Sequence, residues 1–544
     1  MKKAVAILLS VSFILAGTAC AKKDDGDGKG MLSKKTDDSS VTTTTDAPDV
    51  STSESSSEET TDETTTTPNV IQDVLVYDDS INAIDMRVEN HWMAYGLANP
   101  NKQDDPFGYG AVASVRAKFD WLYTNGYGHD DLNQYIYSMF QENLKRYEDE
   151  YTVAKEKLIT DAAAGVYPDY NEIFFFASEP TRCDDLYCSF FTADDKSDEY
   201  IKCYNLKTST CEEIKFDDVV TDKNAFNGLL KAYLANKGFD AQAIEKYGAQ
   251  VESGTIPFVL TYDGIFVFLA EGTHAHRVKI SAIAHDDMFN LGYFGTTPKN
   301  YVLTADHESK IYWDVNGDGK TDEITLSAPE GNYYEYDEMT IMVNDVGTTI
   351  THDVSPDLEG SYDHEMYLAH TGNTNYIIAT TYIEDDYSIQ LVFRLKDDLT
   401  AEFVSQHFGY FKYNPYNPDN MQLACVSQFI GTSYRQATYA LDEASGKFVA
   451  ESTCFERFGP VLVTKQEISG VNAYSGSKVV LGKGTSVQVV GFDFEAKEVY
   501  LKSLYEDENL DEKIVVSLTQ KGEYSYLIDG KDEQDLFIGL MYAG

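Results

Sequence analysis

Residues 314–323 read DVNGDGKTDE. Asp314, Asn316, Asp318 and Asp322 take positions 1, 3, 5 and 9 of a loop that offers side-chain oxygens to a cation. Gly319 takes position 6, where the chain must turn sharply. Lys320 takes position 7, which contributes its backbone carbonyl. A hard divalent cation is held by about six to eight oxygens, so this spacing points to calcium. The competing reading is an acidic turn with no metal. Extracellular calcium lies near the range in which weak modules are filled, so a bound ion is expected to brace the region rather than switch it.

The flanks decide the kind of loop. An EF-hand carries Glu at position 12, where this chain has Thr325, and has helices on both sides. Here KIYW and EITL read as strands. The pattern resembles the DxDxDG loops of integrin-like and propeller repeats, which join β-strands. Other chemistry is thinly represented. HESKI and HEMYLAH lack the second His that a zinc-protease helix needs four residues on. There is no GxSxG elbow, no P-loop and no GxGxxG after a strand. A non-enzymatic role is expected, and a cell-wall hydrolase with an unrecognised active site is the alternative.

Six cysteines follow residue 20: Cys183, Cys188, Cys203, Cys211, Cys425 and Cys454. An even number permits disulfides in an exported chain. Cys203 and Cys211 flank a turn between two strands and are candidates for cross-strand pairing. Cys425 and Cys454 are candidates to pair with each other. Spacing does not fix the connectivity, and the absence of CxxC argues against zinc.

The elements that must carry these residues belong to a long, acidic chain. It has 544 residues and a formal net charge of −47, from 43 Lys and Arg against 90 Asp and Glu. That balance excludes nucleic acid, whose binders need a basic patch to displace counterions. It suits solubility, cations and basic partners. The N-terminus has a basic MKK, a short apolar stretch and LAGTAC ending at Cys20. This resembles a bacterial lipoprotein signal, in which Cys20 carries the lipid. Gly17 departs from the usual Leu, and ordinary cleavage after Ala19 or Ala21 is the competing reading. Lipidation implies a protein held on the outer face of the cell membrane. Residues 21–69 are rich in Ser, Thr, Asp and Glu with almost no large apolar side chains, and are expected to be a disordered stalk.

From residue 70 the composition is globular. An α+β domain is expected over 70–298, with helices covering a mainly antiparallel sheet. Its longest helix is expected over Asp131–Gly165. There Leu132, Ile136, Met139, Phe140, Leu144, Tyr147, Tyr151, Ala154 and Leu158 make one apolar stripe, Asp131 with Gln134 makes a capping box, and Gly165 is the stop. A second helix runs through NAFNGLLKAYLANKG, and Asp263-Gly264 marks a hairpin. A β-rich, partly propeller-like domain with the calcium loop is expected over 299–463, and a small β domain over 464–544.

RCDDLYCSFF, YIKCYNLKTSTCEEIKFDDVV and PFVLTYDGIFVFLAEGTHAHRVKIS together resemble the extracellular domain of the anti-sigma-V factor family, over about residues 70–295. That domain also accompanies catalytic domains in some peptidoglycan deacetylases. The resemblance implies an envelope-facing sensory or cell-wall module. Its ligand would be a wall polymer or a basic protein such as lysozyme, which the family's domain binds. No cytoplasmic anti-sigma segment or membrane-spanning helix is recognisable here, so the signalling role is not implied. The tail piece LGKGTSVQVVGFDFEAKEVYLKSL resembles a bacterial SH3-like domain. NYYEY and FGYFKYNPYNP hold tyrosines that stack on sugars if exposed, though strand cores and turns account for most aromatics.

Overall fold

The computed structural model describes residues 76–77 and 80–542, apart from 103–109, 127, 169–170, 195–199, 272–273, 328–337, 352–361, 384–386, 505–512 and 523–525. The expected signal peptide, Cys20, the stalk and NYYEY lie outside the described residues. The fold is β-rich, with several sheets and none closed.

A two-residue strand, β1 (Val76–Tyr77), opens the described chain. β2 (Met86–Ala98) and β3 (Val112–Thr124) then form a long antiparallel pair. Helix α1 (Asp130–Ala163) carries the chain over this sheet to β4 (Asn171–Cys183), which runs parallel to β3. A parallel pair needs such a crossover, and α1, about 50 Å long, supplies it. The sheet is mainly antiparallel, as expected, with this one parallel pair. β5 (Tyr187–Asp194) and β6 (Ile201–Lys207) complete it.

The apolar stripe of α1 faces the sheet: Leu132, Ile136, Phe140, Tyr147 and Leu158 are buried. Phe119 of β3 stacks on Phe176 of β4 at 4.7 Å and meets Phe140 edge-on at 6.2 Å. The helix start differs from expectation. His129 is the N-cap and makes no side-chain cap bond. Asn133 instead turns back to accept from the Thr124 amide at 2.8 Å, tying the first turn to the end of β3. Gly165 does take the left-handed conformation, with φ +79°.

A short turn of helix, α2 (Phe216–Val219), precedes α3 (Lys223–Asn236) and α4 (Ala241–Ser253). Asp222 accepts from the Asn224 and Ala225 amides at 3.0 Å each, satisfying donors that the helix start would orphan. β7 (Phe258–Leu260), β8 (Gly264–Glu271) and β9 (His274–Ser281) form a three-stranded sheet. Only Gly fits at 264, because a Cβ there would stand 2.1 Å from the Ile280 carbonyl oxygen. β10 (Thr296–Thr297) pairs in parallel with β1.

Two sheets follow. β11 (Tyr301–Thr304) borders the meander β16 (Tyr362–Thr371), β17 (Thr374–Ile383), β18 (Tyr387–Leu395) and β19 (Ala401–Phe408). Between them in the chain lie β12 (Lys310–Trp313), β13 (Asp322–Ser327), β14 (Glu338–Val343) and β15 (Val346–Thr351), an antiparallel four-stranded sheet. The last sheet starts at β20 (Tyr410–Phe411), β21 (Met421–Ser427), β22 (Ser433–Leu441), β23 (Phe448–Ala450) and β24 (Cys454–Phe458). It continues past residue 463 through β25 (Val461–Thr464) to strands near the C-terminus.

One apolar cluster runs from Ile84 to Tyr416, joining the N-terminal sheet to the β11 and β12 sheets. Tyr416 is its long-range tie. Its hydroxyl accepts from the Met86 amide at 2.9 Å and donates to the Ile84 carbonyl at 3.0 Å. A smaller cluster joins Ala94 and Val112 to Val461 and Val463. Among the described residues, no helix is long and apolar enough to cross a membrane.

Candidate metal centre

The DVNGDGKTDE loop joins β12 to β13, with Trp313 opposite Asp322 at its neck. Its base is fixed. Ile311 and Ile324 are buried in the main core, and the Trp313 indole donates to the Tyr301 hydroxyl at 2.6 Å. The flanking strands are those expected from KIYW and EITL. Gly317 and Gly319 have φ of +72° and +82°, the left-handed region that glycine enters without a Cβ penalty. Thr325 lies on β13 opposite Lys310, outside the loop.

The loop's own amides hold its acids. Asp314 accepts from the amides of Gly317 at 2.8 Å, Asp318 at 3.2 Å and Gly319 at 2.9 Å. Asn316 accepts from Asp318, and Asp318 from Lys320, both at 2.9 Å. Asp322 is buried and accepts from the Val315 amide at 3.0 Å. Burial raises the Asp322 carboxyl above its ordinary value, and the charges of Asp314 and Asp318 add to this against the Val315 and Asn344 hydrogen bonds. The charges of Asp314 and Asp318 thus bear on the buried Asp322, a repulsion that a cation would relieve. Lys320 gives partial relief, with Nζ 3.8 Å from Asp318.

Sequence reading missed Asn344. It lies in the β14–β15 turn at φ +52°, donates to Asp322 Oδ1 at 2.7 Å and accepts from the Glu323 amide at 2.9 Å. With Asn316, Asp318, Thr321 and Leu399 it lines an open hollow of about 270 Å³ beside the loop. Its only signal was the NDVG turn, which gave no hint of the partner 22 residues away. Among the described residues, no group of three or more His, Cys, Asp or Glu side chains is positioned to hold a metal ion.

The cysteines are spread across the fold, and no disulfide joins them among the described residues. The expected pairing of Cys203 with Cys211 is set aside by their placement. Cys203 packs beside Phe191 and Phe268 on one face of the sheet, and Cys211 packs against the main core. Cys425 and Cys454 stand on β21 and β24 with β22 between them. Two strand spacings, about 9–10 Å, exceed the reach of a disulfide. Cys183 and Cys188 alone face each other, as direct partners in the β4–β5 ladder.

Charged side chains also lie between the sheets. Lys118 pairs with Asp120 at 2.7 Å, Arg277 with Glu179 at 2.7 Å, and Lys279 with Asp263 at 2.6 Å. Lys412 donates to Asn90 of β2 at 2.9 Å and to Gln436 of β22. Its stem keeps some exposure while its ammonium is enclosed. Tyr416 of FGYFKYNPYNP is buried, and Tyr413 packs on the same core. These two tyrosines serve the core and not a sugar platform. A scan against protein-family models and a search of curated proteins find no match for this chain.

Proposed function

We propose that this protein is an extracytoplasmic binding or sensory module of the bacterial cell envelope, tethered through lipid on Cys20. Residues 21–69 act as its stalk. The first globular part is the α+β layer resembling the anti-sigma-V ectodomain, followed by a propeller-like part and an SH3-like tail. The observation that carries the binding role is the outer face of α1. Asp130, Asp131, Glu142, Glu148, Asp149 and Glu156 are exposed there. Its lysines 145 and 157 are taken up by Asp149 and Asp161 at 2.7 and 2.6 Å. A broad acidic face on a chain of net charge −47 suits a basic partner, which it steers and orients. Immobilised protein is expected to retain lysozyme or purified peptidoglycan at physiological salt, with lysozyme released as salt rises. Retention of neither at physiological salt overturns the reading.

Calcium has a structural part in this proposal. Asp314, Asn316, Asp318, Asp322 and the Lys320 carbonyl gather around the ion, which offsets the crowding at Asp322. Millimolar calcium should stabilise the β12–β15 region by about 1–3 kcal/mol over chelator, the linkage expected for a weak extracellular site. The measurement is a thermal melt in calcium and in EDTA, with Asp314→Asn as the control that abolishes the difference. Superimposed melts for the wild type would sink the idea.

A further inference from the structure

We infer that Cys183 and Cys188 form a disulfide across the β4–β5 hairpin, as the one pair of direct cross-strand partners among the six described cysteines. The two are direct cross-strand partners. The hairpin turns through Asp185 and Leu186, and the Asp184 amide donates to the Tyr187 carbonyl at 2.9 Å. Asp184 and Tyr187 are thus the hydrogen-bonded pair that closes the turn, and the next pair out is a non-hydrogen-bonded one. A second bond agrees. The Cys183 carbonyl accepts from the Ile84 amide at 2.9 Å, so it points away from β5. In such a pair the Cα atoms are about 4.5 Å apart, within the range of about 4.4–6.8 Å that a disulfide spans. Both side chains are fully buried, and they lie within hydrogen-bonding reach of each other. Cys211 packs against the same core, near Cys188, and is the competitor.

The oxidation is thiol–disulfide exchange with a small or protein disulfide. The thiolate of one cysteine attacks that disulfide and expels one thiolate, leaving a mixed disulfide. The second cysteine thiolate then attacks its own partner's sulfur and expels the other half. Two protons and two electrons pass to the oxidant, which leaves as two thiols. Burial requires this to happen before the core closes, so the pair is set during folding.

The test is refolding of denatured, reduced protein in a buffer of reduced and oxidised glutathione. The product is denatured without reductant, alkylated and digested. The expected result is a peptide linking Cys183 to Cys188, with Cys203, Cys211, Cys425 and Cys454 all alkylated. Cys211→Ser should keep the link, and Cys188→Ser should leave Cys183 alkylated. Alkylation of both Cys183 and Cys188 in the wild type, or a link from either to Cys211, overturns the proposal. The wild-type readout does not depend on the variants folding.

Discussion

Asp184→Ala is expected to lower the free energy of unfolding by about 3–5 kcal/mol, the cost of leaving a buried charge unpaired. Arg182 and Asp184 are both enclosed, with 1% and 0% of their side chains exposed, and meet at 2.7 Å. The guanidinium also donates to the Tyr293 carbonyl at 2.7 Å and lies over the rings of Tyr187 and Tyr262. None of these neighbours neutralises its charge. The same carboxylate accepts from the Leu186 and Tyr187 amides at 2.7 Å each, so its loss also opens the hairpin turn. The measurement is the urea midpoint at constant slope. Asp149→Ala is the control, since Asp149 pairs with Lys145 on the exposed face of α1 and should leave the midpoint unchanged. Equal midpoints for the two variants would remove the case for Asp184 as an interior anchor.

The second large effect concerns pH. Burial, and next the nearby Lys118, push the Lys412 ammonium down from 10.5 to about 7, against the pull of Asp120 and Glu456. Below pH 7 both folded and unfolded chains carry the proton, and the folded state bears the full cost of enclosing it. Between about 7 and 10.5 the unfolded chain holds a proton that the folded chain has shed, so stability rises with pH. Above that window both are neutral and the cost is gone. The climb amounts to about 4–5 kcal/mol from this group alone. Lys412→Met should flatten it, although Asn90 and Gln436 lose a donor. Urea midpoints for both proteins from pH 7 to pH 10 decide the matter, and parallel profiles would show that Lys412 is not the group responsible.

Local chemistry was the legible part of this sequence. The stripe on α1, the Asp263-Gly264 hairpin and the strands beside DVNGDGKTDE all depend on residues within a turn or two of each other. The pairing of β3 with β4 was not legible, because periodicity locates strands without saying which edge they join. The buried pairs at Arg182, Lys118 and Lys279 were hidden for another reason. In a chain with 24% charged residues, an interior lysine has the same letter as a surface one. The candidate cation loop was found from its own spacing. Asn344 was not, since its role arises only when β14 pairs with β13.

The bond from Tyr416 to Ile84 spans 332 residues of chain. That distance sets a timetable for synthesis. The edge of the first sheet at Ile84 and Met86 stays unfinished until the segment around Tyr416 has left the ribosome, some three quarters of the way along. A chain made from its N-terminus therefore emerges for most of its length without its first core complete. The last quarter of the protein then acts as the signal that closes the first.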